Sequence, residues 1–258
     1  RAVVVVDDDW GRRLAGSRRD AVTVCTTGAG ADWSAGEVVE RADGSTSFTV
    51  TGPVGVLRMG CAIPGRYNVA NAVTAVAMLH EAGVDPEVAA TAIATASVPG
   101  RMERIDTGRP FLAVVDYSHK PAAVDGALRA LRPLTEGQLI IVLGCGGDRD
   151  RGKRPHMGAI AARGSDLLVV TDDNPRSEDP AQIRAAMLEG ALAVPPGERG
   201  EVLEVGDRAE AIRTAVRNAG PGDTVLVAGK GHETGQEVAG VVHPFDDRVV
   251  LRAELERS

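Results

Sequence analysis

The sequence predicts an α/β protein in which a smaller region of sheet and helices precedes a doubly wound parallel sheet. Strand-like and helix-like patterns alternate through residues 99–258, as they do where crossover helices join parallel strands. The strands of that region are continuous runs of Val, Ile and Leu, which is typical of strands covered on both faces. Residues 1–98 lack this alternation, and the Pro-Gly pair at 99–100 marks the boundary between two predicted domains, 1–98 and 99–258.

The first region begins with a predicted buried strand, "AVVVV", which ends in acidic residues at 7–9. The segment 22–63 is rich in Thr, Val, Ser and Gly, and its stretches "STSFTV" and "VGVLRMGCAI" predict short strands of a small sheet. Apolar residues at helical spacing follow, and Gly83 ends this helix. A second helix is predicted next, with Asp85 as its N-cap and Pro86 as its first residue.

Five strands are predicted in the second region, at 111–115, 138–144, 166–171, 201–205 and 223–229. A helix begins at Pro121 after the first strand, and another lies near His156 after the second. The next two helices have Asp179 and Asp207 as N-caps, and Pro180 takes the first helical position of the former. Repeated strand–helix units of this kind build a parallel sheet.

Composition excludes several classes of protein. The chain has 258 residues, of which 43% are hydrophobic, so it can bury a core. Its net charge of -7 argues against nucleic-acid binding, and no apolar run is long enough to be inserted in a membrane. Cys25, Cys61 and Cys145 are far apart, which predicts free thiols in a reducing cytoplasm and no metal site. The chain begins without Met, so we expect it to be part of a longer protein, and we expect a monomer.

Polar side chains are concentrated directly after four of the five predicted strands of the second region. Ligands of open parallel sheets bind at the carboxyl ends of the strands. The candidate site therefore consists of "DYSHKP", "CGGDRDRGKRP", "DDNPRSEDP" and "KGHETGQ". The chain has three lysines, and each lies in one of these segments. The strand at 201–205 is followed only by "GDRAE", which is an ordinary helix cap.

The segment "DDNPR" permits two interpretations. Asp and Asn-Pro form turns readily, and Arg176 could simply pair with Glu178 or Asp179. Alternatively, the turn binds a zwitterion. An arginine holds a carboxylate through two parallel hydrogen bonds, an aspartate holds an ammonium group, and Asn174 can serve either. An amino-acid ligand needs this combination.

The other three segments are also open to a structural interpretation. The glycines of "CGGDRDRGKRP" could cradle a phosphate, but neither a Walker pattern nor G-x-G-x-x-G is present, and a tight turn with a solvated basic face is the alternative. Asp116 suits a metal-bound nucleotide or ribose hydroxyls, unless it arranges the N-cap of the helix at Pro121. "GKGHETGQ" offers glycine N–H groups and Glu233, and we expect His232 to be structural.

The motifs together resemble the Mur ligases, and within them the branch that adds meso-diaminopimelate. They are "GRYNVANAVTAVAML", "VPGRMERI", "VDYSHKPAAVDGAL", "GCGGDRDRGKRPHMGAIA", "VVTDDNPRSEDP" and "VLVAGKGHETGQ", in this order, and the resemblance spans residues 1–258. The arginine-rich, lysine-poor composition resembles actinobacterial members. The resemblance implies that 1–98 is the C-terminal part of a central ATP-binding domain. It implies that 99–258 is a Rossmann-like C-terminal domain that binds the incoming amino acid.

The resemblance also implies which residues bind ligands. The meso-diaminopimelate contacts it implies are Arg149, Asp173, Asn174, Pro175, Arg176, Gly229 and Glu233. The ATP contacts it implies are Asn71, Arg101 and Asp116, with Asn68 close by. Lysine-adding relatives tend to replace the last arginine of the "DNPR" motif. An arginine that meets the distal carboxylate of diaminopimelate would be left buried and unpaired by lysine, and such unpaired groups reject a wrong substrate strongly.

The activity implied is ATP-dependent amide-bond formation in peptidoglycan synthesis. ATP and Mg2+ would activate the D-glutamate side-chain carboxylate of UDP-MurNAc-L-Ala-D-Glu as an acyl phosphate, which the amine of meso-diaminopimelate attacks. The family's P-loop, its magnesium ligands and its carbamylated lysine have no counterpart in these 258 residues. No catalytic residue is therefore assigned, and the chain alone is predicted to be inactive.

Three alternatives remain. The chain could be a non-catalytic amino-acid-binding module. It could be a nucleotide-dependent oxidoreductase, against which the missing G-x-G-x-x-G argues. It could be a lysine-adding Mur ligase, against which Arg176 argues. The sequence leaves open the roles of a small group of polar residues, namely His119, His232, Lys120, Lys153 and Lys230.

Overall fold

The structure is a computed structural model that describes residues 1–28, 30–41, 43–106 and 108–257. The chain divides into two compact units, Arg1–Ser97 and Val98–Ser258. Each unit contains its own cluster of buried hydrophobic side chains.

The described residues of the first unit form a five-stranded sheet and three helices. The strands lie in chain order, and the pairs β1–β2 and β2–β3 are parallel while β3–β4 and β4–β5 are antiparallel. The strands are β1 Ala2–Val5, β2 Ala21–Cys25, β3 Trp33–Glu40, β4 Thr46–Gly52 and β5 Gly55–Cys61. The helices are α1 Asp9–Gly16, α2 Arg66–Glu81 and α3 Pro86–Ala94.

Both helices predicted for this unit are confirmed, and local chemistry sets their ends. Gly83 has a φ of +87°, a left-handed conformation that glycine adopts without strain. The Asp85 side chain accepts a 2.8 Å hydrogen bond from the Glu87 N–H, as a helix N-cap does. The prediction of a buried first strand is wrong in part. Val4 is the one buried residue of β1 because this strand lies at the edge of the sheet and pairs only with β2.

The second unit contains the predicted doubly wound sheet. Its six strands lie in the order β10-β9-β8-β11-β7-β6, and all neighbours are parallel except β6 and β7. The strands are β6 Glu103–Arg104, β7 Leu112–Asp116, β8 Leu139–Leu143, β9 Leu167–Val170, β10 Glu201–Glu204 and β11 Thr224–Ala228. Every residue of β8, β9 and β11 is buried, which confirms that these apolar runs are covered on both faces.

In the part of this unit that the structure describes, five helices and a hairpin accompany the sheet. The helices are α4 Pro121–Leu131, α5 Lys153–Gly164, α6 Pro180–Ala193, α7 Arg208–Asn218 and α8 Asp247–Arg257. Short 3-10 helices lie at Arg132–Leu134 and Pro196–Glu198, and the hairpin is β12 Gly235–Val238 with β13 Val241–Pro244. Residues of α7 and α8 share one buried cluster with the sheet, and α4, α5 and α6 pack side by side on the other face.

The sheet order brings the predicted polar segments together. β11 lies between β7 and β8, and β9 lies on the other side of β8. The four strands run parallel, so the loops that follow them emerge at the same edge of the sheet. These loops contain the four segments that the sequence predicts as the site.

Candidate functional site

A cavity of about 740 Å³ lies at the carboxyl ends of these four strands. Six of the seven residues predicted to bind the amino acid line it, namely Arg149, Asp173, Asn174, Arg176, Gly229 and Glu233. Pro175 is buried and does not line the cavity. Its carbonyl oxygen lies against Gly147, where a Cβ atom would come within 1.9 Å of it. Pro175 therefore acts in packing the two loops together.

The two acids of "DDNPR" have different surroundings. Asp172 pairs with Arg184 of α6, and burial raises the pKa of its carboxyl although Arg184 opposes this rise. Asp173 is 7% exposed and lines the cavity. Within the described part of the chain, no hydrogen-bond donor contacts the Asp173 carboxylate. Of the pair, Asp173 is the one available to a cationic ligand.

Arg176 is held by both its main chain and its side chain. Its φ is +53°, and its N–H and carbonyl bond to Glu237 and Ala239 of the hairpin segment at 2.9 and 2.7 Å. The guanidinium Nη1 donates to the Gly147 carbonyl at 2.8 Å, and Nε lies 3.3 Å from the Glu237 carboxylate. The proposed pairing of Arg176 with Glu178 or Asp179 is thus not observed. The guanidinium has donors left for a ligand.

A fully buried lysine connects two of the cavity segments. The Lys230 Nζ donates to the Asn174 Oδ1 at 2.9 Å and lies 3.3 Å from the Glu233 Oε2. The Asn174 Nδ2 donates to the same Glu233 oxygen at 2.9 Å. Glu233 is also close to the Tyr117 phenol, whose pKa is raised by burial and then by the Glu233 charge.

Side chains of both charges line this cavity. Arg149 is exposed and donates to the Asp148 carbonyl at 3.0 Å, and no acid of the described residues lies within 4.0 Å of it. Two guanidinium groups, from Arg149 and Arg176, thus line the same cavity as the carboxylates of Asp173 and Glu233. This arrangement can hold carboxylate and ammonium groups of one small ligand.

An ion pair behind the cavity ties the loops after β8 and β9. Arg154 is 3% exposed and forms two hydrogen bonds with Glu178, at 3.1 and 2.9 Å. Glu178 also accepts the Asp148 N–H at 2.6 Å. The Arg154 hydrogen bond and then the Asp148 N–H lower the pKa of Glu178 to about 2. The pair fixes the loop that carries Arg149 against the loop that carries Arg176.

Two further residues of the cavity wall are structural. Lys153 donates to the His119 carbonyl at 2.7 Å, which joins the first residue of α5 to the loop after β7. Burial raises the pKa of the Cys145 thiol to about 12, so this cysteine is a neutral packing residue and not a nucleophile. Among the described residues, no group of three or more His, Cys, Asp or Glu side chains is placed to hold a metal ion.

Comparison with known proteins identifies the family. The family model of the Mur ligase, glutamate ligase domain, matches residues 100–231, which is half of the chain and contains most of the cavity. The chain belongs to the Mur ligase family. This finding confirms the resemblance that the motifs indicated.

The relatives of this Mur ligase chain are similar along its whole length. A Streptomyces coelicolor protein named UDP-N-acetylmuramoyl-L-alanyl-D-glutamate–2,6-diaminopimelate ligase is 56% identical over 263 residues, covering 99% of the chain and 51% of the relative. The protein of the same name from Corynebacterium efficiens is 54% identical, covering 99% of the chain and 49% of the relative. The chain spans about half the length of the curated relatives it matches.

A solved structure supports the same relationship. The structure of a UDP-N-acetylmuramoyl-L-alanyl-D-glutamate–2,6-diaminopimelate ligase superposes with a TM-score of 0.64 and 35% identity, covering 99% of this chain and 53% of that one. The doubly wound fold predicted for the second unit is therefore the fold expected of a Mur ligase.

The residues predicted to contact ATP in this Mur ligase chain lie in both units. In the first unit, Asn68 is buried and donates to the Pro64 carbonyl at 2.7 Å, and Asn71 is exposed and donates to the Asn68 Oδ1 at 3.0 Å. In the second unit, Arg101 is exposed, and its guanidinium lies 4.4 Å from the centre of the Tyr117 ring. Arg101 and Asn71 therefore present free polar groups.

Asp116 holds a turn through three hydrogen bonds. It is 5% exposed and accepts hydrogen bonds from the Met102 N–H at 2.8 Å and the Ser118 N–H at 2.9 Å, and also from the Ser118 hydroxyl. The alternative that it caps α4 is not observed, because Lys120 occupies the N-cap position. Asp116 instead fixes the turn that carries Arg101.

Sequence reasoning missed the importance of Arg208. The segment "GDRAE" does contain a helix cap, since Asp207 accepts the Glu210 N–H at 2.8 Å. The residue after the cap, however, is fully buried and forms two 2.8 Å hydrogen bonds with Asp247, which is also fully buried. Arg208 also donates to the Ala228 carbonyl at 2.9 Å, next to Gly229 of the cavity. A buried arginine of this kind has no signal in the local sequence, because its partner lies 39 residues away.

No described helix combines the length and apolarity needed to cross a bilayer.

Proposed function

We propose that this chain supplies the amino-acid-binding part of an ATP-dependent ligase. The ligase would join meso-diaminopimelate to UDP-MurNAc-L-Ala-D-Glu in the cytoplasmic stage of peptidoglycan synthesis. In this proposal residues 1–98 are the C-terminal part of the central ATP-binding domain, and residues 99–258 are the amino-acid-binding domain. The single observation that carries the proposal is the pattern of charges around the cavity at the strand ends.

Meso-diaminopimelate has two ammonium groups and two carboxylates. The cavity offers Asp173 and Glu233 as acceptors for the ammonium groups. It offers Arg149, Arg176 and one N–H of Asn174 as donors for the carboxylates. A ligand with a single amino-acid centre would use only part of this set of donors and acceptors. The set therefore favours a ligand with two amino-acid centres.

Arg176 is the residue that would select against lysine. Lysine has both ammonium groups but lacks the distal carboxylate. With lysine bound, the Arg176 side chain, which is 22% exposed, would lose its ligand partner. A site built to bind a polar group rejects an analogue that lacks the group far more strongly than an apolar pocket rejects a missing methylene. This argument favours diaminopimelate over a lysine-adding role.

The chemistry requires activation of an acid, because a carboxylate does not condense with an amine unaided in water. ATP would supply the phosphoryl group that converts the D-glutamate side-chain carboxylate into an acyl phosphate, with Mg2+ neutralising phosphate charge. The residues of this chain would hold the diaminopimelate amine at the reacting carbonyl carbon. The nitrogen forms the new bond, loses its proton, and inorganic phosphate leaves. Positioning of the amine is then the main contribution of this cavity.

Each unit, taken by itself, has polar groups that suit ATP. Arg101 offers an exposed guanidinium to phosphate, and Asn71 offers an amide oxygen to a base or ribose. Asp116 would act by fixing the Arg101 turn. The described residues contain no cluster of metal ligands of their own, so magnesium would be bound through the nucleotide and through residues outside this chain.

The test is calorimetric titration of the full-length protein that carries this chain with meso-diaminopimelate and with L-lysine, each in the presence of a non-hydrolysable ATP analogue. We expect binding of the former and at least 100-fold weaker binding of the latter, the scale of rejection for a missing polar group. Equal binding of both would favour a lysine-adding enzyme. Binding of meso-diaminopimelate by a protein that forms no amide bond would favour the non-catalytic module.

A further inference from the structure

Lys230 is a buried cation directly behind the cavity. Its side chain is fully buried, although an ammonium group is strongly hydrated in water. The one carboxylate within 4.0 Å of it among the described residues is Glu233, whose side chain is 34% exposed. A hydrocarbon side chain would fill the same space without this cost of desolvation. The polar contacts of Lys230 therefore indicate a role other than filling space.

The contacts of Lys230 determine how the Asn174 amide is oriented. The Lys230 Nζ and the Glu237 backbone N–H both lie against the Asn174 Oδ1, at 2.9 and 3.0 Å. Both groups can only donate, so the atom facing them must be the amide oxygen. The opposite side of the amide faces the Glu233 carboxylate at 2.9 Å, which can only accept. Rotating the amide by 180° would place donors against donors and an acceptor against an acceptor.

This orientation leaves Asn174 with one unused hydrogen-bond donor. Two donors fill the two lone pairs of Oδ1, and one Nδ2 proton is bonded to Glu233. The second Nδ2 proton is the remaining polar group, and Asn174 lines the cavity. Asn174 is therefore a donor toward the ligand and suits a carboxylate. Glu233 retains acceptor sites, because a carboxylate has about four of them, and it suits an ammonium group.

We propose that Lys230 is a positioning and specificity-determining residue that fixes Asn174 as a carboxylate donor and Glu233 as an ammonium acceptor. One ammonium group bridges both side chains, so it sets the opposite polarity of two neighbouring subsites. The carboxylate of the ligand then lies toward Asn174 and Arg176, and its ammonium group lies toward Glu233. This proposal rests on the proposed function, since it assigns the polarity of the same amino-acid site.

The first test is Lys230→Met in the full-length protein, because Met is unbranched and similar in length. We expect KM for meso-diaminopimelate to rise about tenfold to a hundredfold, the range for losing hydrogen bonds to a charged group. KM for ATP and for the UDP-linked dipeptide should not change. The preference for meso-diaminopimelate over L-lysine should fall, because the distal carboxylate loses a fixed donor. A role in stability alone would lower the melting temperature and leave this preference and KM unchanged, which would overturn the proposal.

The matched control is Arg213→Met on α7. Arg213 pairs with Glu210 and Glu254, is 31% exposed and does not line the cavity. Its loss also removes an internal ion pair, so we expect a lower melting temperature with unchanged KM and unchanged amino-acid preference. Parallel changes in KM for both variants would overturn the role of Lys230.

Asn174→Asp tests the proposed polarity of the subsites if Lys230→Met does not fold. Asp keeps the acceptor for Lys230 and the Glu237 N–H but replaces Nδ2 with an oxygen, which removes the donor toward the ligand and also the donor to Glu233. We expect a loss of meso-diaminopimelate affinity of at least tenfold. Unchanged affinity would mean that Asn174 presents its oxygen to the ligand, and it would overturn the proposed polarity. If the unmodified protein fails to bind meso-diaminopimelate, the proposed function fails instead, so the two failures are distinguishable.

Discussion

The Nη1 of Arg176 donates a 2.8 Å hydrogen bond to the carbonyl oxygen of Gly147. This bond joins the loop after β9 to the loop after β8. The Gly147 N–H in turn donates a 2.8 Å hydrogen bond to the Asn174 carbonyl. Gly147 has no room for a side chain, because a Cβ there would come within 1.9 Å of the Pro175 oxygen. The arginine that we propose to select diaminopimelate is thus positioned by the backbone of a neighbouring strand end.

Arg176→Ala should remove the preference for meso-diaminopimelate. The distal carboxylate would lose a charge-assisted partner, so we expect affinity for meso-diaminopimelate to fall by roughly tenfold to a hundredfold while affinity for L-lysine changes little. Arg176→Lys should not restore the preference, because a lysine cannot reproduce the planar guanidinium. Calorimetric titration of the full-length protein measures both ligands.

Arg151→Ala is the control for the loss of one positive charge near the site. Arg151 pairs with Glu178, is 74% exposed and does not line the cavity. Exposed ion pairs contribute little, so its removal should leave both affinities unchanged. A fall in meso-diaminopimelate affinity equal to that of Arg176→Ala would show that general charge, and not the Arg176 contact, determines binding.

Acid should weaken the fixation of the two loops through Glu178. The pKa of this carboxyl is lowered from its ordinary value of 4.5 to about 2, first by the Arg154 hydrogen bond. A lowered pKa means that the stabilisation is fully present above about 4.5 and is lost as the pH falls from there toward 2. Urea denaturation of the chain at a series of pH values should show this loss.

Glu178→Gln should lower the free energy of unfolding at pH 7 and flatten its dependence on pH in the acid range. The control is Glu189→Gln on α6, which removes an exposed acid. If Glu178→Gln and Glu189→Gln have the same acid dependence, the Arg154–Glu178 pair does not stabilise the loops.

Much of the second unit could be predicted from the sequence, because its elements obey local rules. Four of the five apolar runs became largely buried strands, whereas β10 has no buried residue because it lies at the edge of the sheet. Asp179 and Asp207 cap their helices as predicted, with hydrogen bonds of 2.9 and 2.8 Å to following N–H groups. The parallel order follows from the alternation of strands and helices. Because strand ends of a parallel sheet share one edge, the position of the cavity was also predictable.

The contacts made inside the site were not predictable, because they join distant segments. Glu237, which pairs with Arg176, lies on a hairpin that the sequence analysis did not predict. Lys230 and Asn174 are 56 residues apart. Their hydrogen bond depends on β11 being inserted next to β8, and no local pattern specifies that strand order. Composition marked the three lysines as unusual but did not assign them roles.

The buried pair of Arg208 and Asp247 should be needed for stability near the cavity. Both side chains are fully buried, and the pair joins the start of α7 to the start of α8. Arg208→Met alone would leave an uncompensated buried acid, and we expect a loss of about 3–5 kcal/mol in the free energy of unfolding. Arg208→Met combined with Asp247→Leu should recover part of this loss. Urea denaturation of the single and double variants measures both effects, and an unrecovered double variant would contradict this account.

The 258-residue chain by itself should bind meso-diaminopimelate weakly and release no phosphate from ATP. The cavity that we propose to bind the amino acid lies wholly within the second unit. The sequence contains no Walker pattern, and the described residues contain no cluster of metal ligands. The described residues therefore lack the groups that bind and polarise the triphosphate, and we expect no acyl phosphate to form. A phosphate-release assay with ATP, Mg2+, meso-diaminopimelate and the UDP-linked dipeptide tests this, with the full-length protein as the positive control. Turnover by the isolated chain above the rate of an Arg101→Ala variant would show that these residues form a complete active site.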